Sequence, residues 1–260
     1  MNFKNSLIRI SMLTTALVMN SAVSAAPMLW VGDSSGNLGT VDVATGAVNV
    51  IGSMGQRMTD IAFDPSGNLY SINSIQLFSI DKTNATPTLV GNLGASVNSL
   101  VFDSSGVLYA ANNALYTVNV GTGAASRVGN GGSSYQSSGD LAFVGGNLFL
   151  SSVGREVDGL VMLDPLTGVA VSIGDIGFSA VYGLATDNNI DLYGLAGTRV
   201  LSINSVTGAG TFLVNYGGQG LLNARGSAFF SGSSVPEPAT LALLAAGMIG
   251  MGYSRRKAKV

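Results

Sequence analysis

The 260-residue sequence contains no cysteine and no histidine, and only 10% of its residues carry charge. Without cysteine there is no disulfide framework and no thiolate nucleophile or metal ligand. Without histidine the chain lacks the commonest general base near neutral pH and the usual ligand for zinc, copper or haem. No cofactor or metal centre is therefore expected, and stability must come from a core and from regular hydrogen bonding. Basic residues are scarce as well. Lys4, Arg9, Arg255, Arg256, Lys257 and Lys259 account for six of the 12 Lys+Arg, and Glu237 is the one acid of 14 outside the body, so the body keeps six against 13, a net charge of −7. Such a body repels a phosphate backbone, which excludes nucleic acid as a partner. Long charge-free apolar runs are absent except at the two ends.

The N-terminal end has Lys4 and Arg9 ahead of a mostly apolar stretch, Ile10 to Val23, followed by the small residues Val23-Ser24-Ala25. A positive n-region, an apolar h-region and a small-residue site make 1–25 a signal peptide cut by signal peptidase after Ala25. A membrane helix that is retained is the competing reading, weakened by the shortness of the run and by Asn20 and Ser21. At the other end Val235-Pro236-Glu237-Pro238 precedes an apolar run from Ala239 to Tyr253 and then Ser254-Arg255-Arg256-Lys257. Fifteen helical residues reach roughly 22 Å, short of the roughly 30 Å hydrocarbon core, so this span is marginal. The tail resembles the PEP-CTERM sorting signal. That resemblance implies a short transmembrane sorting helix over 233–260, recognition by a membrane-embedded exosortase, and passage of the protein to the cell exterior.

Between the ends, residues 26–232 repeat. Asp60-Ile61-Ala62-Phe63, Ser99-Leu100-Val101-Phe102, Asp140-Leu141-Ala142-Phe143, Gly183-Leu184-Ala185-Thr186 and Gly226-Ser227-Ala228-Phe229 recur every 39 to 43 residues. Each of the first four is followed by a turn and an aromatic strand, as in Asn68-Leu69-Tyr70, and Met28-Leu29-Trp30 supplies a fifth. A third strand ends in Asp/Asn-x-x-Thr-Gly at 42–46, 119–123, 164–168 and 204–208, a turn from which Asp81 to Ala85 departs. The Asx side chain accepts a backbone N–H two residues on, and glycine supplies positive φ. A fourth strand closes each unit. Four short strands in roughly 40 residues predict the blade of an all-β propeller. The tract opens on a second strand and ends on a lone first strand, so the last strand should complete the first blade. This predicts a closed five-bladed ring over an open parallel solenoid. Phrases such as Phe63-Asp64-Pro65-Ser66-Gly67-Asn68-Leu69-Tyr70 resemble those of NHL and gluconolactonase-type propellers.

The turns of one face, here called the bottom, are repetitive, whereas the top loops vary, and variable loops on one face are where repeat proteins place recognition. The long ones are expected at 130–139, 152–159, 174–182 and 215–225. Arg57, Asp60, Asn98, Asp140, Tyr182 and Arg225 should ring the channel at a solvated top mouth, where Arg57 and Asp60 are able to pair. Mixed Arg, Asp, Asn and Tyr suit the hydroxyl groups of a glycan or small polar ligand. Resemblance to lactonases would instead have Asp60, Asn98 and Asp140 hold Ca²⁺, a thin set for an ion that wants six to eight oxygens. Asp187 to Asp191 departs from a calcium loop and reads as a hairpin turn; Arg155 to Asp158 reads as a solvated tip; 130–139 reads as a flexible Gly/Ser loop.

These observations predict a non-enzymatic, exported protein of the cell surface or extracellular matrix that binds a glycan or matrix protein through its top face. The PEP-CTERM resemblance implies an exopolysaccharide-producing Gram-negative bacterium. The alternative is a secreted metal-dependent hydrolase, which would reveal itself by lactone turnover.

Overall fold

The computed structural model describes residues 27–129 and 135–230. The signal peptide with Ala25, residues 130–134 of the Gly/Ser loop, and the tail with Val235, Pro236, Glu237, Pro238, Arg255, Arg256 and Lys257 lie outside the described residues. What is described is all β: twenty strands in five antiparallel sheets of four. Blade one contains β1 (Met28–Asp33), β2 (Asn37–Asp42) and β3 (Val48–Ser53). Blade two is β4 (Asp60–Phe63) to β7 (Pro87–Asn92), by way of β5 (Leu69–Ile72) and β6 (Gln76–Ile80). Blade three runs β8 (Ser99–Phe102), β9 (Leu108–Ala111), β10 (Leu115–Val118), β11 (Ala125–Arg127). Blade four runs β12 (Ser137–Val144), β13 (Asn147–Ser152), β14 (Gly159–Leu163), β15 (Ala170–Asp175). Blade five runs β16 (Val181–Ala185), β17 (Leu192–Ala196), β18 (Arg199–Ile203), β19 (Gly210–Asn215). The last strand, β20 (Ala224–Phe229), pairs with β1 through Leu29↔Phe229, Trp30↔Ala228 and Val31↔Ser227, and so completes blade one. The ring is closed and five-bladed.

Each blade buries both faces, and one apolar cluster fills each junction. Leu29, Val31 and Val41 meet Leu195 and Val200 between blades one and five. Met54, Ile61 and Phe78 lie between one and two, Leu77, Leu100 and Leu108 between two and three, Tyr109, Leu141 and Leu150 between three and four, and Leu160, Leu184 and Leu201 between four and five. Burying a leucine is worth about 1.5 to 3 kcal/mol, so five such clusters supply the core that disulfides do not. At four junctions the aromatic ring of a second strand abuts the phenylalanine of the neighbouring first strand: Trp30–Phe63, Tyr70–Phe102, Tyr109–Phe143 and Tyr193–Phe229. The fifth position holds Thr186.

The Asx-x-x-Thr-Gly turns form as their chemistry dictates. Asp42 Oδ1 accepts the Ala44 and Thr45 N–H groups, and the Gly46 N–H donates to the Asp42 carbonyl at 2.8 Å with φ of 74°. The turn at Asp81 does not depart from this geometry. The Ala85 N–H donates to the Asp81 carbonyl at 2.8 Å, and Ala85 adopts a φ of 64° where the other turns have glycine. These turns also interlock the rim. A Cβ on Gly123 would meet the carbonyl carbon of Gly91 in blade two at 2.8 Å, one on Gly208 would meet that of Gly174 in blade four at 2.8 Å, and one on Gly46 would meet Val214 of blade five at 2.8 Å.

Candidate functional site

The top loops enclose a cavity of about 430 Å³ over the channel, lined by Arg57, Asn98, Ser137, Ser138, Asp158, Tyr182 and Arg225 among others. Four of the six residues expected at this mouth are therefore on its wall. Asn98 precedes β8, and its Nδ2 donates to the Ser137 carbonyl at 3.1 Å and the Ser138 carbonyl at 3.4 Å. Its Oδ1, the Ser137 hydroxyl and the Arg225 Nε are buried atoms without a hydrogen-bond partner. The Arg225 guanidinium stacks 4.8 Å from the centroid of the Tyr182 ring.

Asp60 and Asp140 are not at the solvated mouth. They lie beneath it, 1% and 0% exposed. Aligned on the first strands, the layer that contains them is Asp60, Ser99, Asp140, Gly183 and Gly226; a Cβ on Gly226 would collide with Asp60 Oδ1, so this glycine makes room for the Asp60 carboxyl, while one on Gly183 would collide with Leu195 and the Ser227 hydroxyl. Asp60 Oδ1 accepts the Ile61 N–H at 2.7 Å, and its Oδ2 accepts the Leu100 N–H of blade three at 2.6 Å. Asp140 Oδ1 accepts the Leu141 N–H at 2.6 Å, while its Oδ2 accepts the Leu184 N–H of blade five at 2.6 Å and the N–H and hydroxyl of Ser227 in blade one, each at 3.2 Å. Through these contacts two side chains tie all five first strands together. Burial pushes both carboxyls well above the usual range, and the neighbouring charge of Asp140 raises Asp60 further.

That arrangement corrects three expectations. Asp60 bonds to Asp140 and to backbone, while Arg57 is exposed above it, so the two do not form the expected pair. Of the residues nominated for Ca²⁺, Asp60 and Asp140 have their oxygens engaged by backbone N–H groups and only Asn98 Oδ1 is without a partner, a set that does not fit a divalent cation. Among the described residues no group of three or more acidic side chains is arranged to hold a metal ion. In the charge cluster at 155–158, Arg155 and Glu156 are exposed as expected of a tip, but Asp158 is 5% exposed, and its Oδ2 accepts the Ser138 hydroxyl at 2.5 Å and the Val181 N–H at 2.7 Å. Tyr135 likewise turns inward, 5% exposed in the junction of blades three and four, where burial pushes its hydroxyl up to about 12. Asp187 to Asp191 links β16 to β17 as a hairpin turn, with Asn188 Oδ1 accepting the Ile190 and Asp191 N–H groups at 2.9 Å. Ser137 and Ser138 were read only as part of a flexible loop and Asp158 only as part of a solvated tip; the run Ser137-Ser138-Gly139-Asp140, polar where other repeats are less so, was the available signal.

Residues 234–257 match the family model of the PEP-CTERM protein-sorting motif. The motif implies export, membrane anchoring through the C-terminus, handling by an exosortase and passage to the surface. No curated protein matches the chain. Among solved structures, a chain of a nidogen/laminin complex is similar at 11% identity and a TM-score of 0.52, covering 79% of this chain and 98% of that one. A gluconolactonase from Xanthomonas campestris aligns at 15% identity and a TM-score of 0.47, over 74% and 78% of the two chains. A virginiamycin B lyase from Staphylococcus aureus aligns at 13% identity and 0.42, over 73% and 67%. Such likeness belongs to the propeller fold and carries no activity with it.

Proposed function

We propose that this is a non-enzymatic protein of the cell surface or extracellular matrix, cut at Ala25, sorted through its tail, and binding a glycan or another hydroxyl-rich ligand in the top cavity. One observation carries the reading. Around about 430 Å³ of space, Asn98 Oδ1, the Ser137 hydroxyl and Arg225 Nε are buried without partners beside an aromatic face at Tyr182. A buried polar atom left unpaired costs about 1 to 3 kcal/mol, and a ligand offering hydroxyl groups recovers it when these side chains turn toward the cavity. An acceptor, a mixed donor and acceptor, and a donor together match the alternating chemistry of a sugar edge, whereas a purely apolar ligand would leave all three unsatisfied.

The test is binding of the full-length chain, in nonionic detergent, to an array of bacterial exopolysaccharide fragments. Asn98→Ala and Arg225→Met should each weaken the strongest signal about tenfold, as expected for one lost hydrogen bond of about 1.4 kcal/mol, while the melting temperature stays near that of the unaltered chain. Equal binding by the double variant would refute the site. Failure of every glycan to bind would refute the ligand class.

A further inference from the structure

At the opposite end of the channel the bottom turns surround a second cavity, of about 630 Å³, lined by Phe63, Phe102, Phe143, Phe229, Thr186 and Asn189, with Asp64 and Asp103 on its rim. Four phenylalanines at equivalent repeat positions face one space, and the fifth position breaks the ring of aromatics with Thr186, whose hydroxyl is buried without a partner. Asp187, between the lining residues Thr186 and Asn189, has a buried Oδ1 that is also unpartnered. The mouth thus combines aromatic faces with the rim carboxylates of Asp64 and Asp103, and Asp187 stands next in the chain to the lining residue Thr186. The protein itself shows what such a surface accepts. On the side of blades one and two, Lys82 Nζ lies 4.7 Å from the Phe230 centroid and 5.8 Å from that of Phe63, and donates to the Gly67 carbonyl at 2.6 Å.

We propose that this lower mouth binds an organic ammonium group, seated against Phe102, Phe143 and Phe229 and balanced by the carboxylates of Asp187, Asp103 and Asp64. Ring faces carry negative quadrupole potential and attract cations, most strongly where water is partly excluded. An inorganic divalent ion would gain little from rings and would need clustered oxygens that the described residues do not provide. A neutral sugar would use the rings but leave the excess of acidic groups uncompensated. Burial, the largest influence on Asp187, raises its carboxyl above the ordinary range, a cost that a cation beside it relieves. The ammonium could belong to a soluble amine or to a zwitterionic lipid headgroup, and the two are separable by experiment.

The single tryptophan supplies the readout, because Trp30 stands edge-on to Phe63 at 5.3 Å and Phe63 lines the cavity. Full-length protein in nonionic detergent is titrated with tetramethylammonium chloride against sodium chloride at equal ionic strength, with tert-butanol as the neutral probe of similar shape. A saturable fluorescence change with tetramethylammonium alone is expected. Phe143→Leu, which keeps apolar volume but removes the ring, and Asp187→Asn, which keeps shape but removes charge, should each raise the half-saturating concentration about threefold or more. Phe102→Leu replaces Phe143→Leu if the latter fails to melt cooperatively. An equal response to tert-butanol, a response that does not saturate, or unchanged half-saturation in both variants would overturn the proposal. Choline and phosphocholine then identify the source: similar binding of the two points to a lipid headgroup, and binding of choline only points to a soluble amine.

Discussion

Replacing Asp140 by alanine would leave the N–H groups of Leu141, Leu184 and Ser227 without their carboxylate acceptor in the most buried layer of the ring. A loss of about 4 kcal/mol is expected in urea unfolding, within the range for breaking a buried charged network; Asp140→Asn, which keeps one oxygen, should cost less. Asp60 and Asp140 also set a pH dependence. Their folded-state pKa values exceed the unfolded ones, so their contribution is complete below about pH 4 and is lost as pH rises through the raised values. Unfolding midpoints should therefore fall on the alkaline side, and Asp60→Asn should flatten that fall; a midpoint rising steadily to pH 9 would contradict it. Asp42 runs the other way. The Thr45 N–H holds its carboxylate below the ordinary value, so what it contributes is lost as pH falls, but at a solvent-exposed turn. Repeat alignment placed Arg57, Asn98, Tyr182 and Arg225 at the top mouth, where they line one cavity. It misjudged Asp60 and Asp140 because register reveals the layer a residue occupies but not that Gly226, elsewhere in the ring, opens the space into which the Asp60 carboxyl turns, nor that Asp140 reaches N–H groups of two other blades.

At the scale of the strand and its turn, Gly123→Ala and Ala85→Gly form a matched pair. The first places a methyl group at a φ of 79° against the Gly91 backbone and should cost about 2 kcal/mol. The second relieves a left-handed alanine, worth about 1 kcal/mol, but removes a fully buried methyl worth about 0.8 kcal/mol, so its midpoint should barely move. Equal losses in the two variants would mean that the turns do not bear on the neighbouring blade. Strands were legible because apolar alternation and Asx-Gly turns are local signals. Gly91 and Gly174 were not, since what requires them is a turn roughly 30 residues later in the chain, pressed against them by ring closure.

For the whole molecule, ring closure was readable from the mismatch between a tract that opens on a second strand and one that ends on a first. Truncation before Ala224 removes the partner of β1 and the Ser227 donors to Asp140, and should abolish cooperative unfolding, measured by calorimetry. A truncated chain that melts like the intact one would remove β20 from the fold's requirements. The top and bottom assignments give an orientation as well. β20 ends at Phe229 on the bottom, and from this we predict that a membrane-held tail has the bottom turns toward the bilayer and the varied loops outward. In membrane-held protein, cysteine at Ser66, an exposed bottom-turn position, should react more slowly with an impermeant thiol reagent than cysteine at Glu156 in a top loop. Faster reaction at position 66 would reverse the orientation.

The antiparallel contact between β20 and β1 determines how the molecule bears tension. With the tail fixed in a membrane and a ligand drawn away from the opposite face, the load enters at Phe230 and runs along the axis of β20. The pairs from Leu29↔Phe229 to Asp33↔Ala224 are then sheared together instead of being unzipped one at a time. The bonds from Asp140 to Ser227 resist at the middle of the same strand. In a molecule held in this way the strand that finishes the ring is also its tether, and a pull from outside is carried by hydrogen bonds buried inside the ring.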